Sequence, residues 1–188
     1  TTSQSSAASD VYKRQTMLNL QAAVPPAEFM TLDGTLYIDH DDQPWMVYAH
    51  EWLQKVDGTI EAIRMDDALT KSVGEPIHLF KASDAPWLNA SITPDTGVQH
   101  YVTDGPQLYR SKTGDLLMLW SSYENGSYVQ TQARSVSGKL EGPWEQLNPL
   151  VKSDSGHGML FNTFDGKLMM VLHRPFRNDR GKLYEIKD

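Results

Sequence analysis

One short pattern occurs three times in this chain and restricts the possible folds more than any other feature. Each copy starts with an acid or a histidine before a glycine, continues as a short strand, turns, and returns as an apolar strand. The copies start at Asp33, Asp104 and His157, and their turns follow nine, ten and nine residues later. Recurrence of one supersecondary unit indicates a repeat architecture. The sequence therefore predicts an all-β fold built from similar β-hairpins.

Further strand-like segments extend each hairpin. The first hairpin is followed by Thr59–Met65 and Pro76–Phe80, and the second by Tyr128–Ser135, with Gly142-Pro143-Trp144 ending that unit. Leu183–Ile186 is a candidate last strand of the third unit. Four short strands per unit correspond to one blade of a β-propeller. We therefore predict a partial β-propeller with about three four-stranded blades.

The composition excludes several classes of protein. The 188 residues are 39% hydrophobic and 22% charged, which is typical of a globular domain. A net charge of −7 argues against nucleic acid or an anionic membrane as partner. The absence of cysteine excludes disulfides, thiolate zinc sites and thiol nucleophiles. No apolar run approaches the roughly 18 residues that a membrane-spanning helix needs.

Residues 1–15 differ from the rest of the chain. They are rich in Ser, Thr, Ala and Gln and show no periodicity, which predicts a disordered tail. Ser5–Gln15 also resembles the in-frame translation of a sequencing-library adapter, with a natural flexible tail as the alternative. We therefore expect residues 16–188 to be the C-terminal part of a longer propeller domain.

The three residues that head the repeats form the candidate site. First strands of propeller blades line a common axis, so Asp33, Asp104 and His157 are predicted to converge at one end of it. Each precedes a glycine, which permits a sharp turn or a close backbone approach. A single Asp-Gly would indicate only a turn. The matched positions in three units favour a ligand site instead.

Other side chains are candidates for the wall of this site. Trp52 and Trp87 lie beside loops and are candidates for stacking on a sugar face, with packing at the rim as the alternative. Glu51 is an additional carboxylate near the pocket end of the first unit, with simple exposure as the alternative. Lys81–Tyr101 is a long connection of the kind that often carries function.

At these residues the chain resembles glycoside hydrolase family 43, the five-bladed propellers that cleave arabinose- and xylose-containing glycans with inversion. The resemblance covers nearly everything after Phe29. It implies that Asp33 modulates the pKa of the catalytic acid. Thr103-Asp104-Gly105-Pro106 resembles the family's Thr-Glu-Gly-Pro-like motif, so Asp104 would be the general acid, with a shorter side chain than usual. His157 resembles the axial histidine, which lies under the sugar or ligates a central calcium, often through water.

The resemblance also implies what the protein needs and binds. It implies an oligo- or polysaccharide substrate, no required cofactor beyond an optional structural calcium, and a full-length bacterial parent that is secreted, periplasmic or surface-exposed. No segment before Phe29 resembles the family's general-base element. We therefore expect the general base to be absent and this chain to be inactive. We also expect it to aggregate, because an open propeller leaves strand edges unpaired.

Two alternatives stay open. The first is a non-catalytic glycan-binding propeller. Asp104, in place of the usual glutamate, would indicate this alternative. The second is a related retaining hydrolase, such as an invertase or a levan-type fructosidase. A protein-interaction propeller is disfavoured because such repeats lack matched axial acids.

Overall fold

The computed structural model describes residues 30–50, 52–89, 92–93, 95–176 and 181–186. The predicted tail at residues 1–15 and the candidate Glu51 lie outside the described residues. The described part of the chain forms three antiparallel sheets. Within those same ranges, no helix has both the length and the apolar character needed to traverse a bilayer.

The first two sheets each contain four strands in chain order. Sheet 1 consists of β1 (Thr31–Ile38), β2 (Pro44–His50), β3 (Thr59–Met65) and β4 (Ser72–Lys81), with the short helix α1 (Trp52–Lys55) between β2 and β3. Sheet 2 consists of β5 (Asp104–Arg110), β6 (Leu116–Glu124), β7 (Ser127–Ser135) and β8 (Trp144–Gln146). Each sheet is a meander, because strands that follow one another in the chain are antiparallel neighbours in the sheet.

Sheet 3 is smaller in the described residues. It consists of β9 (Gly156–Asn162), β10 (Leu168–His173) and β11 (Gly181–Glu185). The prediction of three propeller blades is confirmed, with the correction that the third sheet has three strands over the described ranges. The candidate last strand at Leu183–Ile186 is present but begins two residues earlier.

The main core lies between sheets 1 and 2. Alternating residues of β2, β3 and β6 point into it, as expected of strands with one face against a neighbouring sheet. Trp120 is fully buried there, and its ring lies 5.4 Å from that of Phe80 and 5.7 Å from that of Trp87. Aromatic side chains of this size bury the largest apolar areas and dominate the energetics of such an interface.

The first strands of the three sheets lie side by side, β1 against β5 and β5 against β9. Each contains a β-bulge near its start, and the first bulged residue has a left-handed backbone. These residues are Asp33 (φ 56°), Gly105 (φ 56°) and His157 (φ 53°). The structurally equivalent position in sheet 2 is therefore Gly105.

The predicted equivalence of Asp33, Asp104 and His157 is thus wrong by one residue in sheet 2. Asp104 belongs to the regular ladder before the bulge, where it pairs with Ser121. Counted from Gly105, the spacing to the turn is nine residues, as in the other two sheets. The side chain of Asp104 is consequently presented from a different position in its strand than the side chains of Asp33 and His157.

Candidate active site

Asp33 joins the first strands of all three sheets. One carboxylate oxygen, Oδ2, accepts a hydrogen bond from the backbone N–H of Gly105 at 2.9 Å. The other, Oδ1, lies 3.6 Å from Nε2 of His157. The left-handed backbone of Asp33 is strained for most residues, although Asp tolerates it better than most. Strain held at such a point suggests a functional constraint on its side chain.

Asp104 is half-buried beside these groups. Its Oδ2 accepts a hydrogen bond from the hydroxyl of Tyr128 at 2.8 Å. Burial raises the pKa of the Asp104 carboxyl to about 6, and the negative charge of Asp33 adds to this. The hydrogen bond from Tyr128, the charge of His157 and a weaker interaction with the Trp52 side chain act in the opposite direction.

His157 is held by its backbone rather than by apolar packing. Its strand, β9, runs beside sheet 2. Polar side chains of sheet 2 form hydrogen bonds with the backbone of that strand. The N–H groups of His157, Gly158 and Leu160 donate to Ser121 Oγ at 2.8 Å, Gln130 Oε1 at 2.5 Å and Gln107 Oε1 at 2.7 Å, and Gln107 Nε2 donates back to the Leu160 carbonyl at 3.0 Å. The imidazole itself is 40% exposed and available to a ligand.

Two glycines allow the parts of the site to approach one another. A Cβ added at Gly156 would lie 2.5 Å from the Tyr128 ring, which no side chain can accommodate without movement. A Cβ at Gly105 would lie 3.3 Å from the His157 ring. A cavity of about 140 Å³ lies on the axis and is lined by Asp33, Gly105, His157 and neighbouring residues of β1, β5 and β9. The predicted convergence of Asp33, Asp104 and His157 at one place therefore matches the structure.

Of the two tryptophans, the structure brings only Trp52 to these groups. Its side chain acts on the Asp104 carboxyl, and its ring lies 6.0 Å from that of His100. Trp87 lies elsewhere, in the interface between sheets 1 and 2. Its ring packs on Trp120, and its indole N–H donates to the Leu147 carbonyl at 2.8 Å. This location fits the packing alternative for Trp87 rather than sugar stacking.

Sequence reasoning missed Tyr128, the direct partner of Asp104. The sequence predicts Tyr128 in a strand, as the structure shows, but its position beside the acid depends on how β5, β6 and β7 pair. Tyr128 shares one face of β7 with Gln130, Gln132 and Arg134, a polar series that predicts exposure, whereas the structure buries both faces from Tyr128 to Thr131. Nothing in this pattern indicates which carboxylate the Tyr128 hydroxyl would meet.

The described residues do not by themselves build a calcium shell at His157. Calcium takes six to eight oxygen ligands, and the carboxylate of Asp33 is the acidic group within contact distance of this imidazole in the described ranges. Over those ranges, three side chains have ligand atoms close enough together to hold a metal ion. They are Asp39, His40 and Asp41, in the exposed turn between β1 and β2. Calcium at His157 stays a prediction.

The arrangement can supply a proton near neutral pH. A carboxyl with a pKa of about 6 remains partly protonated there, whereas an ordinary Asp does not. In the described part of the chain, the charged side chains acting on Asp104 are Asp33 and His157. The site thus contains an acid and a neighbouring carboxylate, and the described residues place no further carboxylate against that acid.

Comparison with known proteins agrees with this geometry. Residues 11–185 match the family described as glycosyl hydrolases family 43. The crystal structure of an endo-arabinase from Bacteroides thetaiotaomicron VPI-5482 is 42% identical with a TM-score of 0.82, covering 90% of this chain and 60% of that chain. This chain therefore spans less than two thirds of the length of that relative. A search of curated proteins gave no match.

More distant structures share the fold. An endo-1,4-beta-xylanase from Bacteroides thetaiotaomicron VPI-5482 is 22% identical with a TM-score of 0.62, covering 86% of this chain and 60% of that one. An alpha-L-arabinofuranosidase from Lactobacillus brevis is 16% identical with a TM-score of 0.64, covering 92% and 56%. Because the family match extends over nearly the whole sequence, this chain belongs to glycoside hydrolase family 43.

Proposed function

We propose that this chain carries the acid side of an inverting active site that hydrolyses O-glycosidic bonds in arabinose- or xylose-containing plant glycans. Asp104 is the general acid and Asp33 raises its pKa. The observation that carries the proposal is the half-buried Asp104 carboxyl, held by Tyr128 beside Asp33 with a pKa of about 6. The 42% identity to an endo-arabinase favours arabinose-containing glycans as the substrate class.

The chemistry follows from the two carboxyl groups. An inverting hydrolase protonates the leaving oxygen from one face while a base activates water on the other, roughly 6.5–9.5 Å away. The acid must hold its proton near neutrality, which burial and a neighbouring negative charge achieve. Asp104 has both, and Asp33 supplies the charge. His157 and Trp52 stand at the same end of the axis and would contact the sugar.

The acid can be tested separately from the base. Azide attacks the anomeric carbon without needing a general base, so the carbon–oxygen bond breaks as the carbon–nitrogen bond forms and Asp104 protonates the leaving oxygen. We expect the chain with azide to convert an arabino-oligosaccharide into a glycosyl azide of inverted configuration, and Asp104→Asn to abolish this. A 4-nitrophenyl arabinofuranoside, whose leaving group departs unprotonated, should react equally with both proteins.

The controls distinguish the alternatives. Asp115→Asn, an exposed acid in the β5–β6 turn, should behave as wild type on both substrates. Binding of the oligosaccharide without any azide product would favour a glycan-binding propeller. A product of retained configuration would favour a retaining fructosidase-like hydrolase. Turnover of the oligosaccharide without azide would contradict the expectation that the base is missing.

A further inference from the structure

Tyr128 is the side chain that fixes the acid, and it is absent from the roles that the sequence suggested. It lies on β7 with no exposed surface, and its hydroxyl donates to Oδ2 of Asp104 at 2.8 Å. Burial raises the pKa of the Tyr128 phenol well above its usual value, and the adjacent Asp104 adds to the effect. The phenol therefore keeps its proton at every pH at which the site would work. Toward an ionised Asp104 carboxylate, the protonated phenol acts as a hydrogen-bond donor.

The ring of Tyr128 has little freedom to move. It packs against Phe176, with ring centres 4.2 Å apart, and against Tyr123 at 5.1 Å. Gly156 closes the third side, since any Cβ there would overlap the ring. The Ser121 hydroxyl also acts on the phenol oxygen as a hydrogen-bond partner. The hydroxyl of Tyr128 therefore occupies one position, and this position defines where Oδ2 of Asp104 lies.

The contact distinguishes the two oxygens of one carboxyl group. An oxygen that accepts a fixed hydrogen bond is the better carbonyl oxygen of a protonated carboxyl group, so the acidic proton resides on the other oxygen. This matters here because Asp104 has a shorter side chain than the glutamate usual in the family motif and has fewer torsions with which to find its substrate.

We propose that Tyr128 is a positioning residue that holds Asp104 through Oδ2 and places the transferable proton on Oδ1. The proposal rests on the assignment of Asp104 as the general acid. Loss of the phenol oxygen in Tyr128→Phe keeps the ring and its packing but removes the restraint on the carboxyl. Tyr109→Phe is the matched control, because it removes a comparable hydrogen bond, from Tyr109 to Gln132 at 2.9 Å, in the same sheet.

The first measurement needs no catalysis. Carboxyl ¹³C NMR of the whole chain labelled at aspartate, with Asp104→Asn to assign the resonance, reports the pKa of Asp104 directly. We expect Tyr128→Phe to raise it by about one unit, because a hydrogen bond that favours the carboxylate is lost. Tyr109→Phe should leave it unchanged. An Asp104 pKa unchanged or lowered in a folded Tyr128→Phe protein, as judged by circular dichroism, would overturn the proposal.

The second measurement uses the azide reaction. Tyr128→Phe should slow kcat on the arabino-oligosaccharide on the order of tenfold, with KM unchanged and with the nitrophenyl substrate unaffected. A merely structural role would slow both substrates alike, which would overturn the proposal. If no protein reacts with either substrate, the proposed function fails, while the NMR titration still decides whether Tyr128 controls Asp104.

Discussion

The interface between sheets 1 and 2 differs in kind from the interface between sheets 2 and 3. The first is filled by aromatic and aliphatic side chains around the buried Trp120. The second has a small apolar cluster of Leu119, Leu160, Met170 and Leu172, beside a cavity of about 560 Å³. Hydrogen bonds from amide and hydroxyl side chains of sheet 2 to the backbone of β9 supplement this small apolar contact. Apolar packing therefore holds together the two sheets that carry Asp33 and Asp104, whereas side-chain hydrogen bonds hold the strand that carries His157.

The largest expected effect on the free energy of unfolding comes from replacing a buried leucine by alanine, once in each interface. Leu116 and Leu172 are both buried, the former between sheets 1 and 2 and the latter between sheets 2 and 3. We expect Leu116→Ala to lower the free energy of unfolding by about 4 kcal/mol and Leu172→Ala by about 2 kcal/mol, because the second site adjoins an existing cavity. Urea denaturation measures both. Equal costs would show that the two interfaces are equally well packed.

A smaller effect is expected when the polar attachment of sheet 3 is broken. Gln130 is fully buried, accepts from Gly158 and donates to the Trp120 carbonyl at 2.8 Å. Gln130→Leu leaves the N–H of Gly158 without a partner and removes one bond to the Trp120 carbonyl, which should lower the free energy of unfolding by about 3 kcal/mol. Hydrogen exchange should accelerate mainly at the amides of β9.

Gln146→Leu is the control for this substitution. The buried amide of Gln146, in β8, has no hydrogen-bond partner among the residues that the structure describes. Its replacement should therefore be neutral or slightly stabilising. Slower or unchanged exchange of the β9 amides in Gln130→Leu would show that apolar contacts alone hold sheet 3.

The pH dependence of stability tests whether the Asp104 carboxyl is buried in the folded protein. The pKa of Asp104 is raised to about 6 in the folded protein, above its unfolded value, so folding favours the protonated form. Relative to Asp104→Asn, the wild type should lose on the order of 2 kcal/mol of unfolding free energy as the pH rises from about 4 to 7, with no further change above that range. Urea denaturation at several pH values measures the difference.

Asp165, an exposed acid, should show the opposite pH dependence of stability. Hydrogen bonding to Thr163 lowers the pKa of Asp165, so its contribution to stability is present at neutral pH and is lost as the pH falls through its folded pKa. Asp165→Asn should therefore diverge from wild type in the opposite direction. A difference between wild type and Asp104→Asn that does not depend on pH would contradict the burial of this carboxyl.

The smallest effect on stability is expected on the outer face of sheet 3. Leu183, Val171 and Met159 form a row across its strands, and Leu183 is 57% exposed. Leu183→Lys should change the free energy of unfolding by less than about 0.5 kcal/mol. It should nevertheless reduce aggregation measured by light scattering, because exposed apolar rows promote association. A monomeric wild-type chain would contradict the sequence-based expectation of aggregation.

The sequence predicted the strands of this protein well because hairpin turns and apolar alternation are local properties. It aligned Asp33 with His157, and the structure places both at the same bulge of their sheets. It shifted the second copy by one residue because Asp104-Gly105 repeats the Asp-Gly dipeptide of the first copy. In the structure, Gly105 and not Asp104 occupies the bulge.

What the sequence could not predict are contacts between residues that are distant in the chain. Trp87 follows a loop in the sequence, and nothing local distinguishes a tryptophan at a rim from one folded back onto Trp120. Tyr128 and Gln130 lie on the same face of β7 as the exposed Arg134, and their local pattern does not indicate burial. Their partners, Asp104 and Gly158, lie more than 20 residues away in the chain, so only the assembled sheets determine those hydrogen bonds.

The left-handed backbone at Asp33 and His157 limits how this protein could be redesigned. β-Branched and bulky residues adopt this conformation poorly, glycine adopts it readily, and asparagine, aspartate and histidine adopt it more often than other residues. A new specificity could therefore be introduced at these two places only as a bare backbone, an amide, a carboxylate or an imidazole. A longer acid or an aliphatic group would first require the bulge itself to be removed from the strand.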